Sequence, residues 1–193
     1  MARLDEDERM EYSALMSRGR DAERTSQVSW TASGLTAAVL LSWAIGAKSP
    51  GLMLPVVFAV ACGFYARLWG RQGALLTAGY VEEFMETDGS GARWFSRLRQ
   101  LRGIPGFSLA GDWLTAFIAN AVVLVAAVLA WVYAAPAAHG ELMAGIVTGC
   151  GIAFGFHSIT ETSRLARTDF GAQWRQVNPE PRGVPRPTRI AAR

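Results

Sequence analysis

Cysteine, histidine and lysine are nearly missing from this chain. Its 193 residues hold two cysteines, two histidines and a single lysine, Lys48. The cysteines, Cys62 and Cys150, each lie inside an apolar stretch. That excludes the disulfide framework of a small secreted domain, and both read as small packing residues. One histidine near one glutamate is too few ligands for a metal centre, so neither metal nor cofactor is expected. Charge is scarce too, at 18% of residues against roughly 25% in a soluble domain. No nucleophile–base pair, phosphate-binding glycine loop or paired-carboxylate site stands out. Ser158 beside His157 is not such a pair, because neighbouring side chains on a helix diverge by about 100°. The sequence therefore predicts a protein that is not an enzyme. A net charge of +3 does not point to nucleic acid. The arginines flank apolar segments instead of forming one aromatic-studded patch, and no nucleic-acid-binding motif is present.

What the chain has is apolar length. Residues 28–47 carry no charge and end on a tight turn at Lys48, Ser49, Pro50 and Gly51. Residues 52–69 return, with Arg67 long enough to snorkel to headgroups. Residues 113–135 and about 142–159 repeat the pattern around the turn at 134–141. About 20 apolar residues span a bilayer core, and Trp30, Trp43, Trp113 and Trp131 sit near span ends, where aromatic belts form. The first span follows a segment with five arginines and seven acidic residues, so it reads as retained and not as a cleaved signal. The predicted fold class is an all-α integral membrane protein with four transmembrane helices as two hairpins.

Between and around the hairpins lie polar helices. Residues 1–27 favour helix and carry a weak apolar stripe at Tyr12, Leu15 and Met16. Residues 70–88 continue the second span with an apolar face at Leu76, Tyr80, Val81 and Phe84, predicted to pack on the N-terminal helix or a symmetry mate. Residues 92–102 place Trp94, Phe95, Leu98 and Leu101 among Arg93, Arg97, Arg99 and Arg102, the profile of a helix lying in the membrane interface. The chain thus divides into 1–27, hairpin 28–69, connecting segment 70–112, hairpin 113–159, and 160–193. In the last part a helix runs to about Val177, with Leu165, Phe170, Trp174 and Val177 expected to touch lipid. An Arg- and Pro-rich tail that cannot build a core follows it.

The basic residues set an orientation. Five arginines precede the first span, six lie in 67–111 and seven follow the fourth span, whereas the two opposite turns hold only Lys48. Positive-inside bias then puts both termini and the central segment in the cytoplasm of a bacterial inner membrane.

Two constellations are candidate sites. The fourth span holds Gly145-x-x-x-Gly149 and Gly151-x-x-x-Gly155, spacings that let helix backbones approach closely. This glycine ridge is expected to be the seam of the bundle, packing against the alanine-rich third span, or a subunit interface. Asn120, His157 and Glu161 are the polar groups of the second hairpin near its cytoplasmic boundary. They read as a hydrogen bond tying two helices, or as an ion or proton route.

Arg71, Ala74, Ala78, Tyr80, Val81, Glu82 and Glu83, in the helix that follows the first hairpin, resemble the SLATT type of small bacterial membrane proteins. The similarity runs from about Arg24 to Trp94, and the second hairpin departs from it. The resemblance implies two spans followed by a cytoplasmic helix, and a membrane effector of bacterial conflict or antiviral defence that oligomerises and perturbs the bilayer. The expected function is a self-associating, partner- or signal-responsive membrane protein in contact with lipid, with a possible cytoplasmic protein partner. A small transporter or channel subunit and a membrane anchor or assembly factor are the alternatives.

Overall fold

The computed structural model describes residues 6–81, 110–135 and 139–177, without the side chains of 7–9, 110 and 177. Five α-helices make up nearly all of it: α1 Glu6–Ala47, α2 Met53–Tyr80, α3 Ala110–Val132, α4 Gly140–Arg167 and α5 Phe170–Val177. No strand occurs among the described residues. Helices α1 to α4 are each long and apolar enough to cross a bilayer. The interfacial segment with Arg93, Trp94, Phe95, Arg97 and Leu98, the residues Glu82, Glu83 and Phe84, and the Arg- and Pro-rich tail lie outside the described residues.

The polar N-terminal segment and the first span form one unbroken helix. At 42 residues, α1 is roughly 63 Å long, twice a bilayer core. It stops at a left-handed residue, Lys48, with φ 49°. The Lys48 amide donates to Ile45 O and the Ser49 amide to Ala44 O, the paired bonds of a Schellman cap. A single 3₁₀ turn, Pro50–Leu52, then starts α2, and Pro55 falls in the first turn of that helix, where its missing N–H costs nothing.

Helix α2 is the hub. It packs along α1 for most of its length and also touches α3, α4 and α5, whereas among the described residues α1 packs mainly on α2 and, to a lesser extent, on the 3₁₀ turn. The 3₁₀ turn touches α3 and α4, so both short turns sit at one end of the bundle. The other end, called the stalk end below, is extended by the polar halves of α1 and α2. This corrects the expectation that the glycine-rich fourth span is the common seam. Helix α4 meets α3 and α2, and the other helices are organised around α2.

The hub role follows from a repeat of small residues. Gly19, Ser26 and Ser33 recur every seven residues on α1, and Gly63, Gly70 and Thr77 do so on α2. They meet antiparallel, Gly19 on Thr77, Ser26 on Gly70 and Ser33 on Gly63. Ala37 and Ala44 on α1, and Met53, Val56 and Val60 on α2, extend the same three-and-four spacing and are buried. A strict seven-residue repeat produces a left-handed supercoil, and small residues let its backbones close up.

The second hairpin repeats the principle with alanine. Ala116, Ala119, Val123, Ala126 and Ala130 of α3 are buried, and Ala144, Val147, Phe154 and Ser158 of α4 are buried as well. Large side chains lie outside: Leu35, Val39 and Trp43 on α1, Phe58 on α2, Phe117 and Leu124 on α3, Ile152 and Phe156 on α4. Small inside and large outside is the pattern of helices solvated by lipid, where close packing and not hydrophobicity holds neighbours together. The turn between α3 and α4 closes on Gly140, where any Cβ would collide with the backbone carbonyl of Ala134.

Candidate functional site

The polar groups of the bundle gather toward its stalk end. Asn120 on α3 donates to Ser158 Oγ at 2.9 Å and to its own helix at Ala116 O at 2.8 Å. Ser158 is fully buried and donates in turn to Gly155 O. Asn120 therefore ties α3 to α4, as one of the two readings anticipated, but its partner is Ser158 and not His157. The reason is angular: one residue along a helix turns the side chain by about 100°. Ser158 faces α3, and His157 is turned to α2, its ring 5.5 Å from that of Tyr65.

Glu161 does not join Asn120 either. It pairs with Arg164 one turn along α4, at 3.5 Å on an exposed flank. Asn120 is thus turned away from the other two, whereas His157 and Glu161 both lie near Tyr65 of α2, and the three do not meet at one point. Among the described residues no cluster of three metal-ligating side chains occurs. A second tie, Trp131 Nε1 to Thr148 Oγ1 at 3.0 Å, fixes the same two helices nearer their turn. We expect Asn120→Leu to cost about 1 kcal/mol, the usual worth of an interhelical hydrogen bond in a membrane. Steric denaturation in mixed detergent micelles reads that value, and no pH-dependent step should be lost with it.

At about the level of this tie an aromatic group joins α2 to α4. Phe64 meets Phe154 edge-on at 5.5 Å, and Tyr65 meets both Phe154, at 6.3 Å, and His157. Phe64 is almost fully buried. Such edge-to-face contacts add about 0.5–1.5 kcal/mol each beyond burial.

A charged layer follows that was not foreseen from the sequence. Arg71 on α2 reaches Asp112 Oδ2 on α3 at 3.4 Å and Glu23 Oε1 on α1 at 3.7 Å. The Arg71 and Asp112 side chains are 20% and 12% exposed. One turn earlier Arg67 donates to Ser26 Oγ at 3.2 Å, so it is held against α1 and is not simply snorkelling outward. Ser26 itself is buried and donates to Glu23 O. Three helices thus meet on two arginines spaced i, i+4 on α2. The signal in the sequence was that spacing at a span end, together with Asp112 in the first turn of α3, where an acid also suits the helix dipole.

The four glycines of the two GxxxG motifs on α4 fall on two faces. Gly151 approaches Val123 and Gly155 approaches Asn120, so this pair packs against α3. Gly145 and Gly149 are exposed, with open space where a Cβ would stand. The two pairs are offset by six residues, roughly 120° around a helix, so they cannot form a single ridge.

Beyond the spans, α5 folds back on the stalk. Phe170 is buried against Gly79, and Trp174 Nε1 donates to Leu76 O at 2.9 Å. The Trp174 ring stands edge-on to Tyr80 at 5.1 Å, and Tyr80 donates to Glu11 on α1. Phe170 and Trp174 were expected at lipid, and they lie on protein instead. Of the apolar face expected to pack on the N-terminal helix or a symmetry mate, Leu76 and Tyr80 meet Trp174 of α5, Tyr80 also reaches Glu11 of α1, Val81 is buried, and Phe84 lies outside the described residues. No protein-family model matches the chain, and no curated protein or solved structure is significantly similar to it.

Proposed function

We propose that the protein is a non-enzymatic inner-membrane protein that self-associates through the outward face of α4, with its stalk end in the cytoplasm. Assembly of several copies perturbs or opens the bilayer, and the stalk is the surface where a signal or partner acts. The carrying observation is the position of Gly145 and Gly149. Their own bundle leaves them uncovered, with Ala153 continuing the same four-residue spacing on an exposed face. Gly63, Gly70, Gly151 and Gly155 are covered by a neighbouring helix; Gly34, Gly46, Gly73 and Gly111 are open like Gly145 and Gly149, and the four-residue spacing on one face sets the α4 pair apart. Close approach of helix backbones is what small-xxx-small spacing provides in lipid. The arginine distribution supports the orientation. The SLATT resemblance supports the effector role, in antiviral defence. The engagement of Asn120 by Ser158, away from His157 and Glu161, weighs against a transport path through one copy.

Gly145→Leu/Gly149→Leu tests the proposal. Since both positions face open space, the folded monomer should keep its stability. Association measured by photobleaching steps or mass photometry in lipid discs should weaken about tenfold or more, the equivalent of about 1.4 kcal/mol. Dye release from loaded vesicles should fall in parallel. A wild-type protein that stays monomeric and leaves vesicles sealed would refute the proposal, as would a double variant that assembles and leaks normally.

A further inference from the structure

We propose that α5 is a detachable clasp that exchanges its seat on the stalk for the surface of an anionic bilayer. Its aromatic face fits both places. Phe170 and Trp174, one turn apart, hold it on Gly79, Leu76 and Tyr80. Gln173, Arg175 and Gln176 lie exposed. An aromatic face with arginine beside it is also the composition of a helix that lies in the headgroup region.

The joint permits exchange. Helix α4 ends at Arg167, and Thr168 is extended with ψ 121°. Asp169 caps the new helix, accepting from the Ala172 amide. Helix α5 therefore carries its own start signal and remains a helix whichever surface it rests on. The reach also matches. Helix α4 continues eight residues past Ile159, roughly 12 Å, and an eight-residue α5 is itself roughly 12 Å long. Swinging about Thr168 brings it to the headgroups.

Charge supplies the preference for an anionic surface. From Arg164 onward the sequence has seven arginines against Asp169 and Glu180. Basic residues next to a membrane are attracted by anionic lipid over about one Debye length. At the seat, Glu11 on α1 accepts from the Tyr80 hydroxyl. The Arg175 to Asp169 pair, at 3.9 Å, lies within the clasp itself and travels with it. Release would uncover Gly79 and the aromatic edge of Tyr80 on the stalk. An anionic leaflet would thus expose a surface that a zwitterionic one keeps covered.

Exchange of the clasp does not depend on self-association, and its test separates the two. Spin labels at Gln72→Cys and Gln173→Cys, both exposed positions, go into the full chain carrying Cys62→Ser and Cys150→Ala. Labelled protein is diluted with unlabelled protein, so neighbouring copies contribute nothing to the distances. Discs of phosphatidylcholine alone are compared with discs holding about 30% phosphatidylglycerol in both leaflets, so the result does not depend on orientation. The expected result is one short distance in phosphatidylcholine. A second, longer distance should take up about half or more of the population with phosphatidylglycerol, and about 0.5 M NaCl should reverse it. Trp174→Ala should give the longer distance in both lipids, and Arg167→Gln/Arg175→Gln should blunt the response. An unchanged distribution in the two lipids would overturn the proposal, whatever the oligomeric state. A lipid response that salt fails to reverse would overturn it equally.

Discussion

Replacing Gly70 by leucine is expected to force α1 off α2 and cost about 3 kcal/mol or more, the upper end for an overpacked core. A Cβ there would overlap the Cβ of Ser26 and stand 2.8 Å from the backbone oxygen of Ala22. The serine hydroxyl could turn, but the Ser26 Cβ and the Ala22 carbonyl are fixed by the α1 backbone. The displaced α1 also carries Ser26 away from Arg67 and Glu23 away from Arg71. Gly63→Leu should behave alike, since its Cβ would overlap that of Ser33 and lie 3.3 Å from the Trp30 ring. Gly73→Leu, on the same helix and facing open space, should be nearly silent. Apparent unfolding midpoints in detergent measure all three. If Gly70→Leu were as stable as Gly73→Leu, the antiparallel register of α1 on α2 would be wrong.

Arg71→Leu should be the most damaging change of a charged residue, at about 2–3 kcal/mol, because it strands a nearly buried carboxylate at Asp112. The Glu23 arm matters less, being 41% exposed on the carboxylate side and longer. Asp112→Asn alone should cost less than Arg71→Leu, since the arginine keeps Glu23. Adding Asp112→Asn to Arg71→Leu should recover most of the loss. A double-mutant cycle in micelles measures the coupling. Additive losses would mean that the two groups do not act as a pair.

The sequence alone revealed the four spans, because uncharged runs bounded by Pro–Gly turns and tryptophans depend on local composition. It also revealed the apolar face of Leu76, Tyr80 and Val81. It did not reveal that the N-terminal segment and first span are one helix, or that the helix expected to run to about Val177 breaks at Thr168. Nor did it reveal which helix is central. Glycine spacing drew attention to α4, where GxxxG is conspicuous within one helix. The seven-residue series on α1 and α2 is spread over two helices and mixes serine with glycine, so it shows only when the two are aligned antiparallel. Asn120 was recognised as a tie, but its partner was misassigned by one residue, an error of about 100° in facing. Arg71 and Asp112 are 41 residues apart, and neither side of that pair is marked by composition. The docking of α5 was hidden for a different reason. Its aromatic face suits lipid and protein equally, so periodicity cannot choose between them.

The seven-residue register of α1 on α2 sets a unit of length for the first hairpin. Adding one residue to α1 between Ser26 and Ser33 turns one part of the helix against the other by about 100°, so that Ser33 and Ser26 can no longer face Gly63 and Gly70 together. Adding seven restores the facing, provided α2 gains seven at the matching point. The stalk can therefore lengthen or shorten only in paired steps of roughly 10 Å, and a protein built this way changes its reach from the membrane in discrete sizes.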